Sequence, residues 1–216
     1  TAGSENISIG SSAGFAMYTG VRNVAIGANS LYFGAAQKTV AIGYESGRYA
    51  TGSFNTFVGA QAGVGGTTSA PYSSGQYNTA MGYEALKAFT TGHSNVGVGM
   101  QALRVATTGY SNTSLGTYSL YDLTTGAQNT AIGQSAGENL QGGHNNVLLG
   151  YRAGYMGTGF SSAIGIGYRA LYNNTAEGSV AIGYDAGFAL TSGQYNTVIG
   201  YQAGLALTDN DGNTIL

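Results

Sequence analysis

The sequence predicts an all-β protein, a parallel β-solenoid (β-roll) of about twelve rungs of 16–17 residues, and three observations predict it. First, a unit reading Asn, β-branched, small, aliphatic, Gly recurs with its glycine at 10, 27, 43, 59, 82, 99, 116, 133, 150, 167, 183 and 200. Seven of the eleven intervals are 17 residues, three are 16 and one is 23. A fixed period of this length is the signature of a stacked repeat. Second, the residues before each glycine alternate with period two, as a strand does. Third, 38 Gly and a single Pro among 216 residues exclude a helical repeat and collagen alike. Glycine at this density would cost a helix about 1 kcal/mol per site, and collagen needs frequent proline.

Each rung opens on a corner. Nine of the twelve copies carry Asn four residues before the glycine (Asn6, Asn23, Asn55, Asn78, Asn95, Asn112, Asn129, Asn146, Asn196). Asn tolerates left-handed backbone and bonds neighbouring amides, so stacked copies suit an amide ladder. A strand follows. Its first residue is always Val, Ile or Thr (Ile7, Val24, Thr130, Val180), and its third is always aliphatic (Ile9, Ile26, Met81, Leu115, Ile199). These two share one face and are expected to form the core stripe. The residue between them is Ala, Gly or Ser in nine copies, so the opposite face is expected to pack closely against something. Beyond the corner glycine, an Ala or Ser column and then a Gly or Leu column predict a second short strand. A turn such as Thr91-Gly92 or Ser192-Gly193 closes the rung. The last residues, Asn213 to Leu216, fill four columns of a thirteenth unit, and no capping element is evident at either end. We therefore expect residues 1–216 to be a single repeat region taken from a longer fibre. The long interval places an inserted loop at 64–75.

Composition narrows the function. Charged residues are 7% and the net charge is −2, which leaves no basic track for nucleic acid. Without cysteine there are no disulfides or thiolate metal sites, and no apolar run approaches the ~18 residues of a membrane span. A 17-residue coil encloses a thin core, and the small middle column offers another chain a close approach. Cyclic association is the usual outcome, and we expect a homotrimer.

The units Asn129-Thr130-Ala131-Ile132-Gly133 and Ser179-Val180-Ala181-Ile182-Gly183, each followed after two residues by Ala-Gly, resemble the head repeats of YadA-type trimeric autotransporter adhesins. The longer repeat here, with Gly-Tyr-Gln-Ala-Gly from Gly200 to Gly204 and Thr-Thr-Gly turns, is still more similar to repeat regions of bacteriophage tail fibres and related receptor-binding proteins. The resemblance covers the whole chain. It implies an extracellular, elongated, homotrimeric segment of a virion tail fibre that attaches to a host cell-surface glycan or protein receptor. A bacterial surface adhesin head is the alternative, and an ice-binding solenoid is a second. The latter requires an outward threonine ladder, whereas Thr56, Thr79, Thr113, Thr130 and Thr197 fall in the column expected to face the core.

No residue set predicts catalysis, and neither cofactor nor metal is expected. Gly-x-Ser-x-Gly occurs at Ser12 and Ser135, but both are copies of the repeat without strand-turn-helix context. His93 and His144 share a polar column three rungs apart, the segment from Asp209 to Asn213 reads as a polar turn, and sequons at Asn6, Asn112 and Asn173 arise naturally in an Asn- and Thr-rich repeat. Tyrosine is more telling. It follows the corner glycine in six copies (Tyr44, Tyr83, Tyr151, Tyr168, Tyr184, Tyr201), and further aromatics stand four residues later (Phe15, Tyr32, Tyr121, Tyr155, Tyr172, Phe188). Such ladders serve first as stacking or as an interface between chains, and second as a glycan-binding stripe.

Overall fold

The computed structural model describes residues 3–34, 36–66 and 72–216. Thirteen short strands form one parallel sheet in strict sequence order: β1 (Ile7–Ile9), β2 (Val24–Ile26), β3 (Val40–Ile42), β4 (Thr56–Val58), β5 (Thr79–Met81), β6 (Val96–Val98), β7 (Thr113–Leu115), β8 (Thr130–Ile132), β9 (Val147–Leu149), β10 (Ile164–Ile166), β11 (Val180–Ile182), β12 (Thr197–Ile199) and β13 (Thr214–Ile215). Register follows the sequence columns, with Val24 opposite Val40 and Ile26 opposite Ile42, and this holds through the 23-residue interval, where Thr56 lies opposite Thr79. The chain is therefore a β-solenoid of about twelve turns. At a strand spacing of about 4.8 Å its first and last strands stand about 60 Å apart. No described residue is helical, and no helix is long and apolar enough to cross a membrane.

The expected core stripe lies on the wrong face. In β2 to β12 the middle residue is buried, while the two β-branched or aliphatic flanking residues are only partly covered or exposed. Ala25, Ala41, Ala80, Ala131 and Ala181 have no exposed surface, whereas Ile42, Met81, Ile132 and Ile199 are exposed. The cause is width. Ile or Val at both inward positions of every rung would overfill so narrow a coil, so the inward column is small and the bulkier residues turn outward. The small column thus packs inside its own coil, and close approach by another chain cannot be argued from it.

The second strand is absent as well. After each corner glycine the chain forms a run of turns. The residue two after the corner has a left-handed φ in every rung, from Asp185 at 52° to Tyr118 and Ser135 at 58°. So has the Gly or Leu two positions further on, including Leu31, Leu86, Leu103, Leu120 and Leu171. Alternating left-handed residues cannot make a pleated strand, but the turns still stack by backbone bonds between rungs. Asn29 N–H donates to the Ser11 carbonyl at 2.9 Å, and Leu31 N–H to that of Ser46 at 3.0 Å. The corner glycine is obligatory for a different reason. At Gly99 φ is 134°, and a Cβ would lie 2.6 Å from the Gly116 carbonyl oxygen of the next rung.

Across the coil the Gly/Leu column and the inward strand column are matched in size. Where the inward strand residue is large, at Phe57, Leu148 and Val198, the facing position is Gly63, Gly154 and Gly204. A Cβ at Gly154 would come 2.8 Å from Leu148, and one at Gly204 2.7 Å from Val198. Where the facing residue is Leu, the strand offers Ala25, Ala80, Gly97, Ser114 or Gly165. No layer carries a bulky group in both columns, and where both are small, as at Ala41 with Gly47 and Ala131 with Gly137, side chains of the adjoining rungs reach in. Phe57, Leu86, Leu103, Leu120, Leu148 and Leu171 are all fully buried.

The expected amide ladder is present. Asn112 Oδ1 accepts both the backbone N–H (3.0 Å) and the Nδ2 (3.0 Å) of Asn129, while Asn112 Nδ2 donates back to Asn95 Oδ1 at 3.1 Å and across to the Gly126 carbonyl at 2.9 Å. The continuous run from Asn78 to Asn146 is buried, so each amide satisfies neighbouring rungs out of contact with water. Of the inserted loop, 67–71 lie outside the described residues. On either side of them Gly66 N–H reaches the Phe89 carbonyl and Ser74 N–H that of Thr90, so the stack is unbroken.

Candidate functional site: aromatic ladders with an arginine between them

The turn side of each rung carries three columns: the residue after the corner glycine, the left-handed residue next to it, which is buried at Glu84, Ser135 and Asp185, and the residue three beyond that. In the C-terminal rungs these carry Tyr151-Arg152 with Tyr155, Tyr168-Arg169 with Tyr172, Tyr184-Asp185 with Phe188, and Tyr201-Gln202. Because register is exact, like residues stack. Tyr151, Tyr168, Tyr184 and Tyr201 form one ladder, with ring centroids 5.2, 4.8 and 5.3 Å apart and interplanar angles of 18°, 8° and 19°. Tyr155, Tyr172 and Phe188 form a second, at 5.3 and 4.9 Å. Four of the six expected tyrosines thus form a ladder. Tyr44 and Tyr83 are exposed but stand apart from it, since Ala28, Ala60 and Met100 occupy the adjacent rungs of their column.

Two guanidinium groups lie between the ladders. Arg152 sits 5.1 Å from the Tyr151 ring centroid and 4.8 Å from that of Tyr155. Arg169 repeats this over Tyr168 at 5.1 Å and Phe188 at 4.8 Å. Their polar partners differ. Arg169 forms a two-point pair with Asp185, Nε to Oδ1 at 2.8 Å and NH2 to Oδ2 at 2.6 Å, and the pair raises the Arg169 pKa further. The Arg152 guanidinium makes no hydrogen bond or ion pair among the described residues. Its Nε is buried without a partner, and its terminal nitrogens, which also lack one, remain in reach of solvent. Sequence reasoning missed this cation. The signal was present in Tyr-Arg-Ala-Gly-Tyr (151–155) and Tyr-Arg-Ala-Leu-Tyr (168–172), where a basic residue stands between two aromatic columns.

In the N-terminal half the same columns are neutralised internally. Arg48 pairs with Glu45 at 2.5 Å, and Glu84 receives Lys87 at 2.5 Å and Arg104 at 2.8 Å. Burial works to raise the Glu84 carboxyl, but hydrogen bonds from Lys87, Arg104 and Gln101 outweigh it and hold the group at about 2.

The remaining candidates are structural parts. Ser12 and Ser135 belong to the left-handed column common to all rungs. His93 stacks on Tyr110 at 5.2 Å, while His144 Nδ1 accepts the Ala127 N–H at 3.1 Å. Three rungs of about 4.8 Å keep the two rings from sharing a ligand. Asp209 accepts from the Thr191 and Ser192 hydroxyls, which lower its pKa, and Asp211 accepts the Gln194 N–H at 2.7 Å. Asn112 of the sequons is buried in the ladder. Asn6 and Asn173 use their amides on the Gly20 and Phe188 carbonyls. Among the described residues no cluster of His, Asp and Glu has the makings of a metal site. No protein-family model matches the chain, and neither a curated protein nor a solved structure matches it.

Proposed function

We propose that the chain is a structural and adhesive segment of a homotrimeric fibre of the phage tail-fibre type, extending toward a host cell surface, with the aromatic ladders as its candidate glycan-binding face. The observation that carries this reading is the outward side of the sheet. Its two columns, one of Val, Ile and Thr and one wholly of Ile, Val, Leu and Met, run unpaired through every rung. A strip about 60 Å long and about 10 Å wide is on the order of 600 Å², the upper end of what monomers leave exposed. Three such strips meeting about a common axis would bury it and supply the shared core that a thin coil lacks. The test is the mass of the purified chain by light scattering together with its outline by electron microscopy. Three chains in one rod support the proposal, and a stable monomer at micromolar concentration defeats it. A bacterial surface adhesin head has the same architecture, and the flanking segments of the gene separate the two.

A specific observation favours a second reading. Thr56, Thr79, Thr113, Thr130 and Thr197 lie in the outward column after all, so the expectation that they face the core, which weighed against an ice-binding solenoid, does not hold. The companion column holds no threonine, and this keeps the aliphatic interface as the first reading. Thermal hysteresis in a solution of the purified chain would reverse that order.

A further inference from the structure

We infer that Arg152, with the tyrosines around it, is a recognition site for the carboxylate of an acidic saccharide. This deepens the glycan-binding reading of the aromatic ladders and rests on it. The chain itself shows which chemistry an arginine in this column takes. Arg169 also lies against two rings, Tyr168 of its own rung and Phe188 of the next, at nearly the same distances, and is satisfied by a two-point carboxylate contact from Asp185. Arg152 is held between Tyr151 and Tyr155 just as closely, but the residues that share its column in the adjoining rungs are Ser135 and Arg169, and neither offers a carboxylate. Of the seven Lys and Arg, five are in ion pairs among the described residues, and Lys38 and Arg152 are not. Glu138, one rung away in the second aromatic column, makes no ion pair with Arg152.

Three properties define the ligand. The terminal nitrogens of a guanidinium fixed in orientation by flanking rings present paired donors to solvent, which match a planar carboxylate better than a point anion. Tyr168 and Tyr184 beside them are stacked on both faces within the ladder and half-exposed, so they offer ring edges and hydroxyls that suit the C–H and hydroxyl groups of a pyranose. Repetition of those edges and hydroxyls up the ladder suits a chain of sugars rather than a single one. A uronic-acid oligosaccharide lying along the rod, with one carboxylate on Arg152 and its rings against the tyrosines, meets all three.

The test uses the purified chain and three probes in titration calorimetry: tetragalacturonic acid, its methyl ester, and the neutral galactose tetramer. The acidic oligomer is expected to bind about ten- to a hundredfold more tightly than either neutral probe, the range a charge-assisted contact supplies. Added salt should narrow the difference. Arg152→Gln is expected to bring the acidic probe down to the neutral level and leave the neutral probes unchanged, with the melting temperature confirming that the variant folds. Tyr168→Ala should weaken all three. Equal binding of acidic and neutral probes, or an Arg152→Gln variant that retains the preference, overturns the carboxylate site while leaving a glycan-binding ladder in place. Binding of none of the three overturns this site and withdraws support from the ladder itself.

Discussion

Asn112 illustrates how much one side chain does in this fold. Its carbonyl takes two hydrogens from Asn129 and its amide group gives two, to Asn95 and Gly126. Asn112→Ala leaves the backbone N–H of Asn129 buried without an acceptor, and should cost about 1–3 kcal/mol in a denaturant titration. Asn112→Asp keeps the shape but loses the donors and buries a charge, so it should cost at least as much. A variant as stable as the parent would mean that the ladder is incidental. Glu84 gives a second residue-scale expectation. Its carboxyl is held at about 2 in the folded chain against an ordinary 4.5. A lowered folded value means that the contribution is complete above the ordinary value and is lost as pH falls from there toward 2. The side chain is only 7% exposed, so the contribution is on the order of 3 kcal/mol. Melting curves of the parent and of Glu84→Gln should therefore converge as pH falls through that window and separate above it.

At the scale of the rung, the matched columns make a sharp prediction. Phe57→Ala opens a cavity and should cost about 3–5 kcal/mol, and Gly63→Leu alone drives a side chain into the Phe57 ring. The double variant recreates the Ala80 and Leu86 arrangement of the next rung. It should be more stable than either single variant, although leucine at a left-handed φ costs about 1–2 kcal/mol. Additive losses in this double-mutant cycle would show that the size match is coincidental. The same layer explains what the sequence hid. Alternation in Val24-Ala25-Ile26 says which residues share a face but not which face is inside, and the more apolar pair was the natural choice for the core. Only the width of the coil decides against it, and width is a property of the closed rung. The absent second strand has a similar cause. Ala and Ser followed by Gly or Leu is compatible with extended chain, and the left-handed residues that prevent it are as varied as Arg152, Gln61 and Tyr118. No residue type marks that column. Asn in the corner is different: a buried amide demands partners, so its role was legible in advance.

At the scale of the whole molecule, the number of rungs and their register were legible, down to the thirteenth strand at Thr214–Ile215. Each strand pairs only with its neighbours in sequence, so stability is close to a sum over rungs and the contacts between them. Removing residues 112–128 joins Ser111 to Asn129 with every column in step. That variant should stay folded by circular dichroism with a slightly lower melting temperature. Removing about half as many residues from the same place throws every later column out of step and should abolish the transition. The unequal spacing of the corner glycines also gives the molecule a mechanical signature. Pulled from its ends, a stack of this kind peels one rung at a time, and the chain freed at each event is set by the rung's own length. A 17-residue rung releases about 50–55 Å once the lost spacing is subtracted, and the 23-residue rung about 20 Å more. In a force-extension trace that single long step would mark where along the rod the peeling front stands.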